Sequence, residues 1–127
     1  MRLTELAPKF MRLVPDRPGV SEYVSTIQEA QGVMFLCPAC FREAEGDPLK
    51  NRISLLPGHG VHSIRCWSES RGVPADVLPG PGRWSLEGTG FDDLTLGSDG
   101  GRSTSLLLQT SACHAHFYVR NGEVIPA

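Results

Sequence analysis

Long apolar runs are missing from this chain of 127 residues. No stretch comes near the roughly eighteen consecutive apolar residues of a membrane-spanning helix. The first five residues, MRLTE, put no apolar segment directly behind the basic one, so they do not resemble a secretory signal. We therefore expect a cytoplasmic protein with no membrane partner. In that reducing compartment, cysteines serve metal or redox chemistry more often than disulfide formation.

Clusters of basic residues are also missing. Twelve Lys and Arg stand against fourteen Asp and Glu, and the basic residues are spread from Arg2 to Arg120 without a run. Phosphate binding depends on clustered cations, so a nucleic acid is not the expected partner. The sequence also lacks a Gly-x-Ser-x-Gly motif, a His-Glu-x-x-His motif and a Gly-x-x-x-x-Gly-Lys loop. It therefore gives no support to nucleophilic or nucleotide chemistry.

Glycine and proline, in contrast, are abundant. The 14 Gly and 10 Pro make up 24 of the 127 residues, a proportion that favours turns over long helices. Short β-branched and aromatic runs predict strands, and these runs include residues 33–36, 61–67 and 115–120. Asn121 and Gly122 lie between apolar runs and predict a terminal hairpin. We expect a mostly β fold, a small antiparallel domain over residues 1–127 with at most short helices, in which residues 1–19 form an extended arm.

Two dyads carry the clearest chemical signal. Residues 37–40 read Cys-Pro-Ala-Cys and residues 113–116 read Cys-His-Ala-His, which gives a C-x-x-C and a C-x-x-H half-site. Structural Zn²⁺ sites take four thiolate or imidazole ligands in a tetrahedron, and paired ligands at this spacing supply them. The residues that we predict as ligands of one Zn²⁺ are Cys37, Cys40, Cys113 and His116.

A redox dithiol is the main competitor for the first dyad. Such a pair places its first cysteine at a helix N-terminus, where the helix dipole lowers the pKa of the thiol. Cys37 instead follows the strand-like run 33–36, and Pro38 suits a tight knuckle. We therefore favour a zinc knuckle over a redox pair.

The strand predicted at 61–67 holds two further candidates. Cys66 is the alternate ligand, since it would replace His116 and give a four-cysteine site. Because Cys66 lacks a partner at ligand spacing, we interpret it as a small buried apolar residue beside Trp67. His62 shares its face under a period of two, and we interpret it as a half-buried histidine.

An enzyme would need more than a closed site. A catalytic zinc keeps an open coordination position, with a carboxylate or histidine nearby to move protons. Asp92, Asp93 and His62 are the candidates for that role, although Asp after glycine commonly caps a turn. Sulfur-rich sites with four ligands are structural. We therefore expect an interaction or adaptor module that binds a protein partner, and the alternative is a zinc-dependent hydrolase.

Several blocks resemble a family of small bacterial and phage proteins of unassigned function. They are Cys37-Pro38 at a strand end, the segment 54–57, and Cys113-x-x-His116 continuing through FYVRNGEV. Some members of that family accompany prokaryotic ubiquitin-like conjugation operons. The resemblance implies a zinc-binding, β-rich fold, and it implies no particular activity.

Two more blocks resemble the phage and prophage branch of that family. They read PGRW at 81–84 and GTGFDDLT at 88–95, and the resemblance covers residues 1–124. A phage-encoded protein would act in the cytoplasm of its host. The chain departs from many relatives in its first knuckle, which reads CPACF over 37–41 and lacks their glycine.

Overall fold

The computed structural model describes residues 1–43, 61–101, 103–108 and 115–127. Within these ranges nine β-strands form three antiparallel sheets, so the predicted mostly β fold is confirmed. One short α-helix, α1 (Pro38–Glu43), and two 3-10 turns, Leu3–Leu6 and Glu69–Arg71, are the helical elements of this part of the chain. None of the helices described is both long and apolar enough to cross a membrane.

The first sheet has four strands in the order β2-β1-β3-β4. Their bounds are β1 Lys9–Leu13, β2 Ser21–Val24, β3 Gly32–Leu36 and β4 Ser63–Trp67. Val33 lies opposite Phe10 on one side and Cys66 on the other. Opposite residues of antiparallel strands share a face, and all three of these side chains are buried in the main core. The neighbouring row, which contains Met11 and Trp67, therefore faces the other side of the sheet.

Two smaller sheets contain the other strands of the described residues. Strands β5 (Trp84–Glu87) and β6 (Thr95–Ser98) form one, and β7 (Leu106–Leu107), β8 (His116–Arg120) and β9 (Glu123–Pro126) form the other. The turn between β8 and β9 is the predicted Asn-Gly hairpin. Both residues have positive φ, 49° at Asn121 and 75° at Gly122, as a type I′ turn requires. A Cβ at Gly122 would also collide with the carbonyl oxygen of Asp92.

One apolar core connects all three sheets. It takes buried residues from every strand except β2, and from the 3-10 turn at Leu3–Leu6. Phe35 of β3 meets Phe117 of β8 edge-on, with ring centroids 6.1 Å apart, and Phe10 stacks on Phe91 at 4.1 Å. Aromatic pairs at these distances add favourable quadrupole interactions to their burial. The four-stranded sheet thus packs directly against the terminal hairpin.

The prediction of an extended arm over residues 1–19 is wrong. Leu3 and Leu6 are fully buried, and β1 lies inside the first sheet, between β2 and β3. The Pro- and Gly-rich break at 15–19 is the connection between β1 and β2. Sequence reasoning took that break for the junction between an arm and the core, although the apolar residues before it already belong to the core.

Residues 1–3 form main-chain hydrogen bonds with the terminal hairpin. The Leu3 amide donates to the Gly122 carbonyl and the Val124 amide donates to the Met1 carbonyl, both at 2.8 Å. The Arg2 guanidinium adds a hydrogen bond to the Glu123 carboxylate at 2.8 Å. Residues 1–3 therefore continue the hydrogen bonding of the terminal hairpin.

Asp99 is a buried carboxylate next to β6. It accepts hydrogen bonds from the Ser70 amide and the Ser68 hydroxyl, both at 3.0 Å, and from the Ser70 hydroxyl at 3.3 Å. Burial alone would raise the pKa of Asp99, but these hydrogen bonds outweigh it and hold the pKa below its ordinary value. The carboxylate therefore ties the residues after β6 to the 3-10 turn at Glu69–Arg71.

We expect Asp99→Asn to lower the free energy of unfolding by about 1 to 3 kcal/mol at neutral pH, because charge-assisted hydrogen bonds to a buried group are lost. A lowered pKa in the folded state stabilises the fold above the ordinary carboxyl pKa of about 4, and this contribution disappears as the pH falls through the folded value. Urea unfolding from pH 7 to pH 2 should therefore show the difference between wild type and variant shrinking in acid. Asp76→Asn, at an exposed position, is the control, and an equal effect of the two substitutions would contradict the assignment.

Candidate metal centre

The register of β3 and β4 brings two candidate ligands face to face. Leu36 lies opposite Ser63 at the end of the ladder, so the next pair along the two strands is Cys37 and His62. The Cys37 amide donates to the His62 carbonyl at 2.8 Å, which continues the ladder by one step. Directly opposite residues of an antiparallel pair have Cβ atoms about 4.5 to 5.5 Å apart. The thiol and the imidazole are therefore placed together by the sheet itself.

Helix α1 brings the third ligand. It begins at Pro38, immediately after Cys37, and proline suits the first helical position because no intrahelical partner exists for an amide there. The Phe41 amide donates to the Cys37 carbonyl at 2.9 Å and closes the first turn. Residues three apart lie on the same side of a helix, so Cys40 returns to the side of Cys37.

These three side chains form a group that could hold a metal ion. The thiol sulfurs of Cys37 and Cys40 and an imidazole nitrogen of His62 all lie within 4.8 Å of one another. Ligands of a tetrahedral Zn²⁺ lie about 3.5 to 3.8 Å apart, given zinc bonds of about 2.0 to 2.3 Å. A small movement of the side chains would therefore complete the geometry. Two sulfurs and one nitrogen are donors that suit zinc and other borderline or soft ions rather than Mg²⁺ or Ca²⁺.

Burial differs across the group. Cys37 and Cys40 are 0% and 2% exposed and belong to the main core, whereas His62 is half-buried. An ion bound here would lie at the edge of the core, with the sulfurs inside and the imidazole toward the surface. Such an ion would connect the ends of β3 and β4 with α1.

The structure groups two of the four predicted ligands, Cys37 and Cys40, with His62. Cys113 lies outside the described residues. His116 is described, but it is exposed at the start of β8 and does not belong to the group. Its neighbour Phe117 is buried in the core, so the alternation of the strand directs His116 the other way.

Sequence reasoning named His62 only as a half-buried histidine and a catalytic candidate. The signal for a ligand was the pair of apolar strands at 33–36 and 61–67, since antiparallel pairing of the two would bring residues near 37 and 62 together. The sequence does not specify the register of strands separated by a long connection. The ladder of β3 and β4 fixes this register and places Cys37 directly opposite His62.

Cys66 lies too far along the strand to share an ion with His62. The two are four positions apart, and at about 3.3 Å per residue that is about 13 Å. Cys66 is fully buried opposite Val33, and this burial raises the pKa of its thiol. The residue has the environment of a small apolar core residue and not that of a metal ligand.

The segment after Cys37 is a helix and not the predicted knuckle. Sequence reasoning expected a knuckle after a strand, but α1 begins directly after Cys37, so this cysteine does precede a helix. A different observation now separates the two interpretations. An imidazole nitrogen of His62 lies within 4.8 Å of both sulfurs, and this third donor favours metal binding over a simple dithiol.

The two aspartates proposed for catalysis have other contacts in the structure. The Asp93 carboxylate accepts three hydrogen bonds of 2.9 Å, from the amides of Thr89 and Gly90 and from the Thr89 hydroxyl. These bonds hold the pKa of Asp93 below its ordinary value. The Asp92 side chain is 91% exposed and lies 4.0 Å from the Arg2 guanidinium. Neither carboxylate belongs to the group around Cys37.

Comparison with protein-family models, with curated proteins and with solved structures found no match. The resemblance to the phage family therefore depends on the sequence blocks alone, and the site is interpreted from its own geometry.

Proposed function

We propose that the protein is a zinc-binding interaction module, in which Cys37, Cys40 and His62 hold a structural Zn²⁺. The observation that carries this proposal is the convergence of two sulfurs and one nitrogen within 4.8 Å. Structural zinc sites use such mixtures of thiolate and imidazole. Cysteine ligands bind as thiolates, so a bound cation would also compensate the burial of their two negative charges.

Cys113 is the proposed fourth ligand. The buried residues Ala115, Phe117 and Val119 alternate with the exposed His116. Cys113 belongs to the second dyad of the sequence, and its thiol is a donor of the kind that structural zinc sites use. His116 is exposed and lies outside the group, and we therefore prefer Cys113 to His116 beside the three grouped ligands.

A structural role agrees with the position of the group. Two of its members are core residues, and the third, His62, immediately precedes β4, the strand paired with β3. An ion that binds the folded chain but not the unfolded one adds its binding free energy to the free energy of unfolding. Zinc would thereby stabilise the junction of the first sheet with α1.

The interaction role and the phage origin are proposals that rest on the sequence. A β-rich zinc domain with no nucleotide or nucleophile motif is more readily an adaptor for a protein partner than an enzyme, and the sequence blocks resemble the phage and prophage branch. Host cytoplasm would then be its location. The hydrolase alternative gains no support from Asp92 or Asp93, because their described contacts are with a surface turn and Arg2.

Zinc content and stability test the ligand set together. We expect about one zinc per chain by elemental analysis after purification in reducing buffer. His62→Ala and Cys37→Ser should each lose most of that zinc and lower the free energy of unfolding by at least about 3 kcal/mol. Cys66→Ala is the matched control, which should keep the zinc and cost about 1 to 2 kcal/mol through its cavity. Full zinc binding by His62→Ala would refute the proposed site.

The fourth ligand is tested with Co²⁺ in place of zinc. The intensity of the thiolate-to-Co²⁺ charge-transfer band scales with the number of bound sulfurs. The wild-type protein should therefore show the intensity of three thiolates. We expect Cys113→Ser to reduce this band by about a third, and His116→Ala to leave it unchanged. A band that is unchanged in Cys113→Ser and altered in His116→Ala would show that His116, and not Cys113, is the fourth ligand.

The same Co²⁺ protein separates a structural from a hydrolytic site. Four protein ligands leave no bound water, so the visible spectrum should not change between pH 6 and pH 9. A catalytic site holds a water that titrates near neutral pH. A change of the Co²⁺ spectrum in that pH range would indicate a bound water if it persists when Asp92 or Asp93 is replaced. That result would favour an open site and count against the structural role.

A further inference from the structure

The connection from the 3-10 turn at Glu69–Arg71 to β5 is built around one buried cation. Arg83 is 1% exposed, and its guanidinium donates to four main-chain carbonyls at 2.8 to 2.9 Å. The acceptors are Pro74, Val77, Pro79 and Gly82. We call residues 74–81 the proline loop. Its backbone is fixed from the inside by the arginine.

A second contact fixes the centre of the proline loop to the first sheet. The Trp67 indole donates to the Leu78 carbonyl at 3.0 Å. Val77 packs against the buried cluster of Met11, Trp67 and Val73 on the outer face of that sheet. The loop is thus attached by apolar packing as well as by hydrogen bonds.

The Leu78 side chain, in contrast, points to solvent. It is 79% exposed, more than any other large apolar residue in the described part of the chain. Single exposed apolar residues are common and need no explanation. Here, however, the main chain on both sides of the leucine is already ordered, so little conformational entropy would be lost when a partner buries it. An aliphatic side chain on a preorganised loop has the properties of an interface anchor.

The charges on the proline loop decide which class of partner it fits. Asp76 is exposed, and it takes part in no ion pair among the described residues. The two flanking arginines are used internally, Arg83 by the four carbonyls and Arg71 by those of Ile27, Ala30 and Leu86. The loop therefore presents a carboxylate and no available cation. This disfavours nucleic acids and anionic lipid surfaces, which require basic residues.

We propose that the proline loop is a protein-docking surface, in which Leu78 enters an apolar pocket of a partner protein and Asp76 meets a Lys or Arg at the rim of that pocket. The inference rests on the interaction role proposed above and names the surface that performs it. Opposite charges at the rim would set orientation and association rate, while the buried leucine would supply affinity.

A small host molecule with an apolar cavity and a cationic rim can serve as a probe for the proposed docking surface. A β-cyclodextrin with seven ammonium groups has an apolar cavity and a cationic rim. In a titration followed by NMR, the Leu78 methyl and Trp67 indole resonances should shift together, since the Trp67 indole donates to the Leu78 carbonyl. Leu78→Ser should weaken binding at least about tenfold, because the buried side chain is lost. Asp76→Asn should weaken binding of the cationic probe severalfold and leave binding of neutral β-cyclodextrin unchanged.

Leu107→Ser is the matched control, because Leu107 is also exposed, at 48%, and lies on β7. We expect this variant to bind the cationic probe like wild type. Equal shifts at Leu107 and Leu78, or unchanged binding by Leu78→Ser, would overturn the proposal. Circular dichroism of each variant checks that the fold is retained.

A photo-crosslinking residue at position 78 tests the partner class in expressing cells, with position 107 as the control. The expected result is a cross-link from position 78 to another protein at an apolar site beside Lys or Arg, and loss of that cross-link with Asp76→Lys. Cross-links only to a second copy of this chain, to lipid or to nucleic acid would refute the proposal. Zinc content is measured on the same samples, so that loss of the metal site and failure of the docking surface are distinguished.

Discussion

The antiparallel register of β3 and β4 is the constraint on which the candidate site depends. It places Cys37 opposite His62 and buries Val33 against Cys66 on the same face. One step of slippage would move every one of these side chains to the other face of the sheet. The apolar residues that fix the register are therefore also what brings the sulfur and the imidazole together, before any ion is bound.

The candidate metal centre and the contacts of residues 1–3 lie in different parts of the fold. Main-chain hydrogen bonds join residues 1–3 to the terminal hairpin, and the Phe35–Phe117 contact joins that hairpin to the first sheet. The group around Cys37 lies where β3 gives way to α1. The hydrogen bonds between residues 1–3 and the terminal hairpin thus do not depend on an ion. A bound ion would instead stabilise the Cys-Pro-Ala-Cys segment.

Local patterns predict much of the fold and two of the three grouped ligands. Short β-branched and aromatic runs indicated β3, β4 and β8, and the Asn121-Gly122 turn followed from its dipeptide, because these signals act over a few residues. The C-x-x-C spacing likewise identified Cys37 and Cys40. His62 was not identified as a ligand, because its partner is set by strand register, which is a long-range property.

Two other errors have the same physical origin. The interval 15–19 has the composition of a linker, but it joins β1 to β2, and only the buried contacts of Leu3 and Leu6 show that the preceding residues are core. The helix after Cys37 is six residues long, and so short an element depends on its surroundings more than on propensity.

The proline loop is organised around the side chain of an arginine, Arg83. A guanidinium presents its N–H donors in a rigid planar fork, whereas an ammonium is a compact charge with only three donors. The four acceptors of Arg83 are main-chain carbonyls, which do not titrate. The loop that presents Leu78 should therefore keep its shape through acidification, even where carboxylates elsewhere in the molecule take up protons.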